Sequence, residues 1–302
     1  MLATARGACA ANKVLIAGTG CESALETLRL TEYAAELGYD AALVRTPHFY
    51  RAQMKPANQL AFYRTVADRS PLPVFIYSVP MFTNYDMPAE LVIELSEHPN
   101  IFGIKESGGD AAKVRQIVEG TRHIKRTATV TETFAAVTPR MLKAAAAESD
   151  RELIPVGALA GDAENPSRTT AQTSSSAIAK VGNLKTRQKE VGFQVLAGSA
   201  QRLLPCLESG AVGAVLAFAS PAPTACYEIY AAWKEGDQQL ARIKQERIMR
   251  AAARVGAELG IPGLKYAADL NGYYGGPGRL PFLPLTADQK AEIEQLMADI
   301  RN

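Results

Sequence analysis

The chain is poor in the residues that build metal centres and disulfide frameworks. Its three histidines, His48, His98 and His123, stand far apart, and its four cysteines, Cys9, Cys21, Cys206 and Cys226, show no CxxC or Cys/His ligand spacing. A structural zinc site and a stapled secreted fold are thereby excluded, and free thiols in a reducing compartment are expected. No excess of one charge exists either: 33 basic and 31 acidic residues are spread along the chain and leave a net charge of +2. Neither a nucleic-acid surface nor a lipid-binding one is expected from that balance. No apolar run approaches the roughly 20 residues that span a bilayer. The first residues, MLATARGACAANK, lack the apolar centre of a secretory signal, while Arg6 and Lys13 without a single acid give a faint likeness to a transit peptide. Small molecules and further copies of the same chain remain as the expected partners.

What is present is a regular alternation. The 302 residues are 47% hydrophobic, enough for one large α/β domain or two small ones. Short apolar runs alternate with longer helical patterns, as in parallel strands joined by crossover helices. Strands are predicted at Val14 to Ala17, Tyr39 to Val44, Pro73 to Tyr77, Ile101 to Lys105, Phe193 to Ala197 and Gly210 to Ala217. Helices are predicted at Glu22 to Leu37, Gln59 to Asp68, Pro88 to about Glu97, Asp110 to Glu119, Gln201 to Glu208 and Thr224 to Trp233. That makes six βα units, where a closed (β/α)8 barrel needs eight. Residues 123–192 interrupt the pattern. They hold an alanine-rich helical stretch, Pro139 to Leu153, then a polar run from Asn165 to Glu190 whose composition predicts disorder, so the whole reads as an insertion. Residues 237–302 read as a helical extension broken at Gly260 to Gly263 and at Gly275 to Pro277.

Two strands end in chemistry. Val74-Phe75-Ile76 closes on Tyr77, and Ile101 to Ile104 closes on Lys105, one βα unit later. On adjacent parallel strands these ends sit about 5 Å apart, on the face where such barrels place their active sites. A lysine in an apolar barrel mouth loses solvation, which disfavours its ammonium form. The free amine can attack a ketone and form an iminium, an electron sink for carbon–carbon cleavage, while a neighbouring phenol moves protons. Each residue also has an ordinary reading: a lysine closing a strand is commonly a solvated cap, and a tyrosine there commonly lies half-buried with its hydroxyl in water.

The segments IAGTGCES (16–23), YSVP (77–80), HPNIFGIKESGGD (98–110), FQVLAGSA (193–200), GAVGAV (210–215), GIPGLK (260–265) and GYYGGPGR (272–279) together resemble the dihydrodipicolinate synthase and N-acetylneuraminate lyase family. Within it they look most like the eukaryotic 4-hydroxy-2-oxoglutarate aldolases. The likeness runs over about Lys13 to Arg122 and Phe193 to Arg301. It implies a (β/α)8 TIM barrel, here incomplete: residues 1–122 correspond to family strands 3–6 and residues 193–236 to strands 7 and 8. It further implies that Lys105 forms the Schiff base, that Tyr77 relays protons, and that Ser107 and Gly198 lie near bound substrate. Val215 would form the apolar wall of the last strand. The implied reaction splits 4-hydroxy-2-oxoglutarate into pyruvate and glyoxylate with no cofactor and no metal. A homotetramer is implied as well, in mitochondria or the cytoplasm, with Phe49 and Tyr50 as the aromatic pair at a subunit contact.

Certain positions depart from the family pattern. Phe82 stands where dihydrodipicolinate synthases carry an arginine for a second carboxylate, which disfavours that activity. Asn84 replaces a usual glycine, a change asparagine tolerates. No G-[ST]-x-G-E loop, the family's carboxylate holder, occurs in the sequence, in keeping with the two βα units missing from the count. The alternatives are a catalytically impaired, truncated member, a dihydrodipicolinate synthase-like activity, and a binding module built on the C-terminal helices.

Overall fold

The apolar runs form strands and the amphipathic runs form helices, in alternation. The computed structural model describes residues 1–10, 13–131, 179–181 and 184–300. After α1 (Leu2–Ala8), the chain runs through β1 (Ile16–Gly18), α2 (Ala24–Glu36), β2 (Ala41–Arg45), α3 (Pro56–Arg69), β3 (Val74–Ser78), the single turn α4 (Pro80–Thr83), α5 (Ala89–Ser96), β4 (Ile101–Glu106) and α6 (Ala111–Gly120). Three strands follow outside this pattern: β5 (Arg126–Thr131), β6 (Ala179–Val181) and β7 (Leu184–Val191). The alternation resumes with β8 (Gln194–Ala197), α7 (Leu203–Glu208), β9 (Gly213–Ala214) and α8 (Pro223–Glu235). The parallel sheet has the order β1-β2-β3-β4-β8-β9. It curls as an incomplete (β/α)8 barrel, with six strands of the eight that closure needs.

Local chemistry sets the helix starts. The Ser23 hydroxyl accepts from the Glu26 amide at 3.1 Å and caps α2, and Asp110 caps α6 through the Ala112 amide at 2.9 Å. Pro56 begins α3, where its missing N–H costs nothing. Pro88 stands one place outside α5, as its N-cap. The two faces of the sheet differ. Val44, Ile76, Ile104, Val195 and Ala197 point toward the helices and are buried in one core with Tyr63, Leu95, Ile117 and Leu207. Each such branched or aromatic side chain contributes about 1.5–3 kcal/mol by leaving water. Leu43, Arg45, Phe75, Tyr77, Gln194 and Leu196 alternate with them on the concave face and are only half-buried. With six strands paired among the described residues, the sheet does not close on itself and its concave face forms a groove.

The polar run expected to be disordered through Glu190 contributes strands at Ala179–Val181 and Leu184–Val191, which corrects that expectation for those residues. Strand β7 pairs antiparallel with β5, from Arg126↔Val191 to Thr131↔Thr186, and with β6 on its other side. The polar composition misled because a two-sided polar ribbon needs only its ladder and β-branched residues such as Thr127, Thr129 and Val130. The alanine-rich stretch Pro139 to Leu153 lies outside the described residues. The strand expected over Gly210 to Ala217 shrinks to Gly213–Ala214, followed by a 3-10 turn at Ala217–Ala219.

The C-terminal region comprises α9 (Gln238–Ala251), a π-helical stretch (Ala252–Glu258), α10 (Gly260–Leu270) and α11 (Ala287–Met297). Ile248, Val255, Ile293 and Met297 join the barrel's own core. Gln245 accepts from the Leu204 amide at 2.9 Å and donates to the Ala200 carbonyl at 3.0 Å. The amphipathic pattern is therefore spent on packing, which removes the reason to read these helices as a separate binding module.

Candidate active site

A β-bulge sets the site. Strands β3 and β4 begin in register at Val74↔Ile101, but the next pair is Phe75↔Gly103, so β4 carries one extra residue, Phe102. Beyond the bulge Tyr77 pairs with Lys105. Paired residues of parallel strands project to the same side, whereas an unshifted register would have set Tyr77 against Ile104, which faces the helices. Gly103 is required here, since a β-carbon would lie 2.2 Å from the Gln194 carbonyl oxygen and 2.7 Å from the Phe75 ring.

The structure brings Lys105 and Tyr77 together. The Lys105 Nζ lies over the Tyr77 ring, 4.0 Å from its centroid. The residue is only 8% exposed, and no carboxylate of the described residues pairs with it. Contact is with the ring face, and no hydrogen bond joins the phenol to the amine. The arrangement holds an amine out of water against a π-surface, with no charged partner among the described residues.

The loop beyond Lys105 is fixed by a group that motif reading missed. Glu106 is fully buried on the helix side. Its Oε1 accepts from the Gly108 amide at 2.6 Å, and its Oε2 lies 3.0 Å from the Lys113 Nζ, too oblique for a hydrogen bond. Lys113 also pairs with Asp86. Strand β4, its loop and the first turns of α6 are thus tied through one buried carboxylate.

Ser107, Gly198 and Val215 follow β4, β8 and β9 in one row at the C-terminal mouth. The Ser107 amide donates to the Ser78 carbonyl at 2.9 Å, the Gly198 amide to Glu106 at 2.7 Å, and the Val215 amide to Ala197 at 2.9 Å. The Ser107 hydroxyl is buried with no partner among the described residues. A β-carbon on Gly198 would lie 1.9 Å from that Oγ and 2.9 Å from the Ser107 Cα. Gly198→Ala is accordingly expected to lower stability by about 1–3 kcal/mol through overpacking, read as an earlier midpoint in urea unfolding. An unchanged midpoint contradicts the close packing of these two loops.

Phe49 and Tyr50 stand apart from this group. They pack edge to face, with centroids 5.1 Å apart, on an exposed loop after β2. A second cluster, also missed, lies at the end of β2. Arg45 pairs with Tyr77 across the sheet, and its NH1 donates to Glu22 Oε1 at 2.8 Å. The Glu22 Oε2 accepts from the His48 and Phe49 amides, each at 2.9 Å. Burial works against the Glu22 charge, but these amides and Arg45 outweigh it and hold the carboxyl below its ordinary range. The signal available beforehand was a charged residue closing an apolar strand, the same signal that marked Lys105.

All four cysteines are free. Burial pushes the Cys206 and Cys226 thiols up to about 11 and about 12, which leaves them inert as nucleophiles. Among the described residues no group of three or more His, Cys, Asp or Glu side chains is placed to hold a metal ion, and no helix is long and apolar enough to cross a membrane.

The chain as a whole is similar to known proteins. The chain is 41% identical over 107 residues to the 4-hydroxy-tetrahydrodipicolinate synthase of Methanosarcina mazei, a match that spans 35% of this chain and 36% of that protein. With the protein of the same name from an Exiguobacterium species, identity is 26% over 284 residues, 94% of this chain and 73% of the relative. Among solved structures, the chloride-inhibited dihydrodipicolinate synthase of Acinetobacter baumannii, complexed with pyruvate, superposes with a TM-score of 0.68 at 22% identity. That superposition covers 95% of this chain but 75% of the other, a shortfall in keeping with six strands instead of eight. The family profile described as Dihydrodipicolinate synthetase matches residues 1–142 and 171–300, and by that match over nearly its whole length the chain belongs to the dihydrodipicolinate synthetase family.

Proposed function

We propose that this protein is a Schiff-base aldolase of 2-oxo acids, with Lys105 as the nucleophile. The observation that carries the reading is the buried Lys105 amine, without a carboxylate partner among the described residues, seated 4.0 Å above the Tyr77 ring. The amine adds to the C2 ketone and, after loss of water, leaves an iminium. Tyr77 relays the C4 hydroxyl proton, accepting it at its oxygen as its own phenol proton passes on toward C3; the C3–C4 bond breaks, glyoxylate departs, and the electron pair flows into the iminium to give an enamine. Protonation at C3 and hydrolysis then release pyruvate and restore the amine. The unpartnered Ser107 hydroxyl supports a role as donor to the substrate carboxylate, and Gly198 keeps the backbone beside it clear.

The finer assignment is 4-hydroxy-2-oxoglutarate, cleaved to pyruvate and glyoxylate. The residue at position 82 supports it: an exposed phenylalanine supplies no charge for the second carboxylate of a dihydrodipicolinate precursor. The exposed Phe49–Tyr50 pair supports assembly with further copies of the chain, a tetramer in the family pattern. The test is trapping. Incubation with pyruvate and reduction by borohydride is expected to leave a stable adduct on Lys105, located by peptide mass spectrometry. No adduct at saturating pyruvate overturns the reading in favour of a catalytically impaired member lacking the carboxylate-binding loop.

A further inference from the structure

We infer that Arg45 recognises the distal carboxylate of a dicarboxylic 2-oxo acid joined to Lys105, and so sets the specificity of the site. The inference rests on the imine reading above and adds the substrate class. Three strand ends lie side by side, in the pairing Arg45↔Tyr77↔Lys105. All three residues project from the concave face, with Tyr77 in the middle. Two strand spacings separate the Cα atoms of Arg45 and Lys105, about 10 Å. An acid held to Lys105 through C2 extends its far end across the Tyr77 ring toward Arg45. A five-carbon diacid spans that interval with the help of the long arginine stem. The carbon between the two anchors then passes over the phenol, the group assigned to move a proton there.

Arg45 is held for this task by its other contacts. NH1 alone is engaged: it donates to Glu22 at 2.8 Å and to the Thr46 carbonyl at 3.3 Å, and lies 2.8 Å from the His48 Nδ1. Glu22 is itself fixed by two backbone amides of the next loop. The guanidinium plane is therefore set, while Nε and NH2 have no partner among the described residues. That free edge is the fork that grips a carboxylate with two parallel hydrogen bonds. The side chain is 31% exposed, open to the groove. A monocarboxylic acid such as pyruvate does not reach it.

The test uses the whole chain and borohydride trapping at Lys105 with three acids: pyruvate, 2-oxoglutarate, and 2-oxopentanoate, which matches 2-oxoglutarate in length but ends in a methyl group. The wild-type chain is expected to half-saturate at a concentration about ten- to a hundredfold lower for 2-oxoglutarate than for 2-oxopentanoate, in line with a charge-assisted pair. Arg45→Met should erase that preference and leave trapping by pyruvate and 2-oxopentanoate within about twofold, which also shows that the site is folded. Arg45→Lys, which keeps a charge beside Glu22 but loses the fork, should lose most of the preference. A preference that survives Arg45→Met overturns the inference. So does an absent preference in the wild type, or an equal loss with all three acids in both variants, which marks a structural role. Absence of any adduct in the wild type is a different result: it overturns the imine reading, and this inference with it.

Discussion

Lys105→Met is expected to abolish the reducible adduct with pyruvate and to reduce aldol cleavage to background, while Tyr77→Phe keeps the adduct and slows turnover by about 10²–10⁴-fold, the usual contribution of a positioned proton-transfer group. The two effects separate because the residues do different things. Methionine fills the space of lysine but has no electron pair to add to a ketone, so no covalent intermediate forms. Phenylalanine keeps the ring face that seats the amine 4.0 Å from its centroid, and removes only the hydroxyl. Imine formation therefore survives and the proton-dependent bond cleavage does not. Two measurements are needed, peptide mass spectrometry after reduction and the rate of glyoxylate release from 4-hydroxy-2-oxoglutarate. Equal loss of adduct in both variants would mean that Tyr77 holds the lysine and does no proton chemistry. An adduct surviving Lys105→Met would move the nucleophile elsewhere.

Lys113→Met is expected to cost about 3–5 kcal/mol of stability, the penalty for leaving a buried carboxylate without its cation. Glu106 is fully buried, and Lys113, with a side chain 10% exposed, is its counter-charge. Asp86, the other acid on Lys113, is mostly exposed and re-solvates readily, so the loss comes from Glu106. The double variant Lys113→Met/Glu106→Gln should recover much of it. Its amide still accepts the Gly108 N–H that holds the loop, and no charge remains in the core. Urea unfolding of the single and double variants decides the matter; a single-variant loss below about 1 kcal/mol would show that water reaches Glu106. The chemistry is downstream of this pair, since the carboxylate adjoins Lys105 and anchors the turn that carries Ser107.

Much of this was legible in the residues because two periodicities dominate the chain. Apolar runs such as Val74 to Tyr77 admit little but a strand, and Asp110 announces the start of α6 through its capping side chain. Boundaries shifted by a residue or two where the cue lay outside the element, as at Pro88. The unit count foretold the incomplete sheet. The polar run ending at Glu190 was misread because sequence composition reports the lack of a core, and β7 needs none of its own once β5 supplies hydrogen bonds. At the site, Lys105 and Tyr77 stood out as polar ends on apolar strands. Arg45 closes β2 in the same way, yet its meaning depends on which strands are neighbours, a three-dimensional fact. Glu106 was hidden beside the lysine, because nothing in the letters says that its carboxylate is buried against a lysine seven residues on.

The supernumerary residue Phe102 carries a lesson about motifs. A related chain with identical letters around its lysine, but with that strand paired straight through and no bulge at its start, would turn its amine in among the helices and present the following glutamate to the lumen. Alignment of the reactive segment alone would score the two as equals. What sets the facing of the nucleophile is then the local irregularity that absorbs the strand's extra residue, a feature of the pairing and not of the letters beside the lysine.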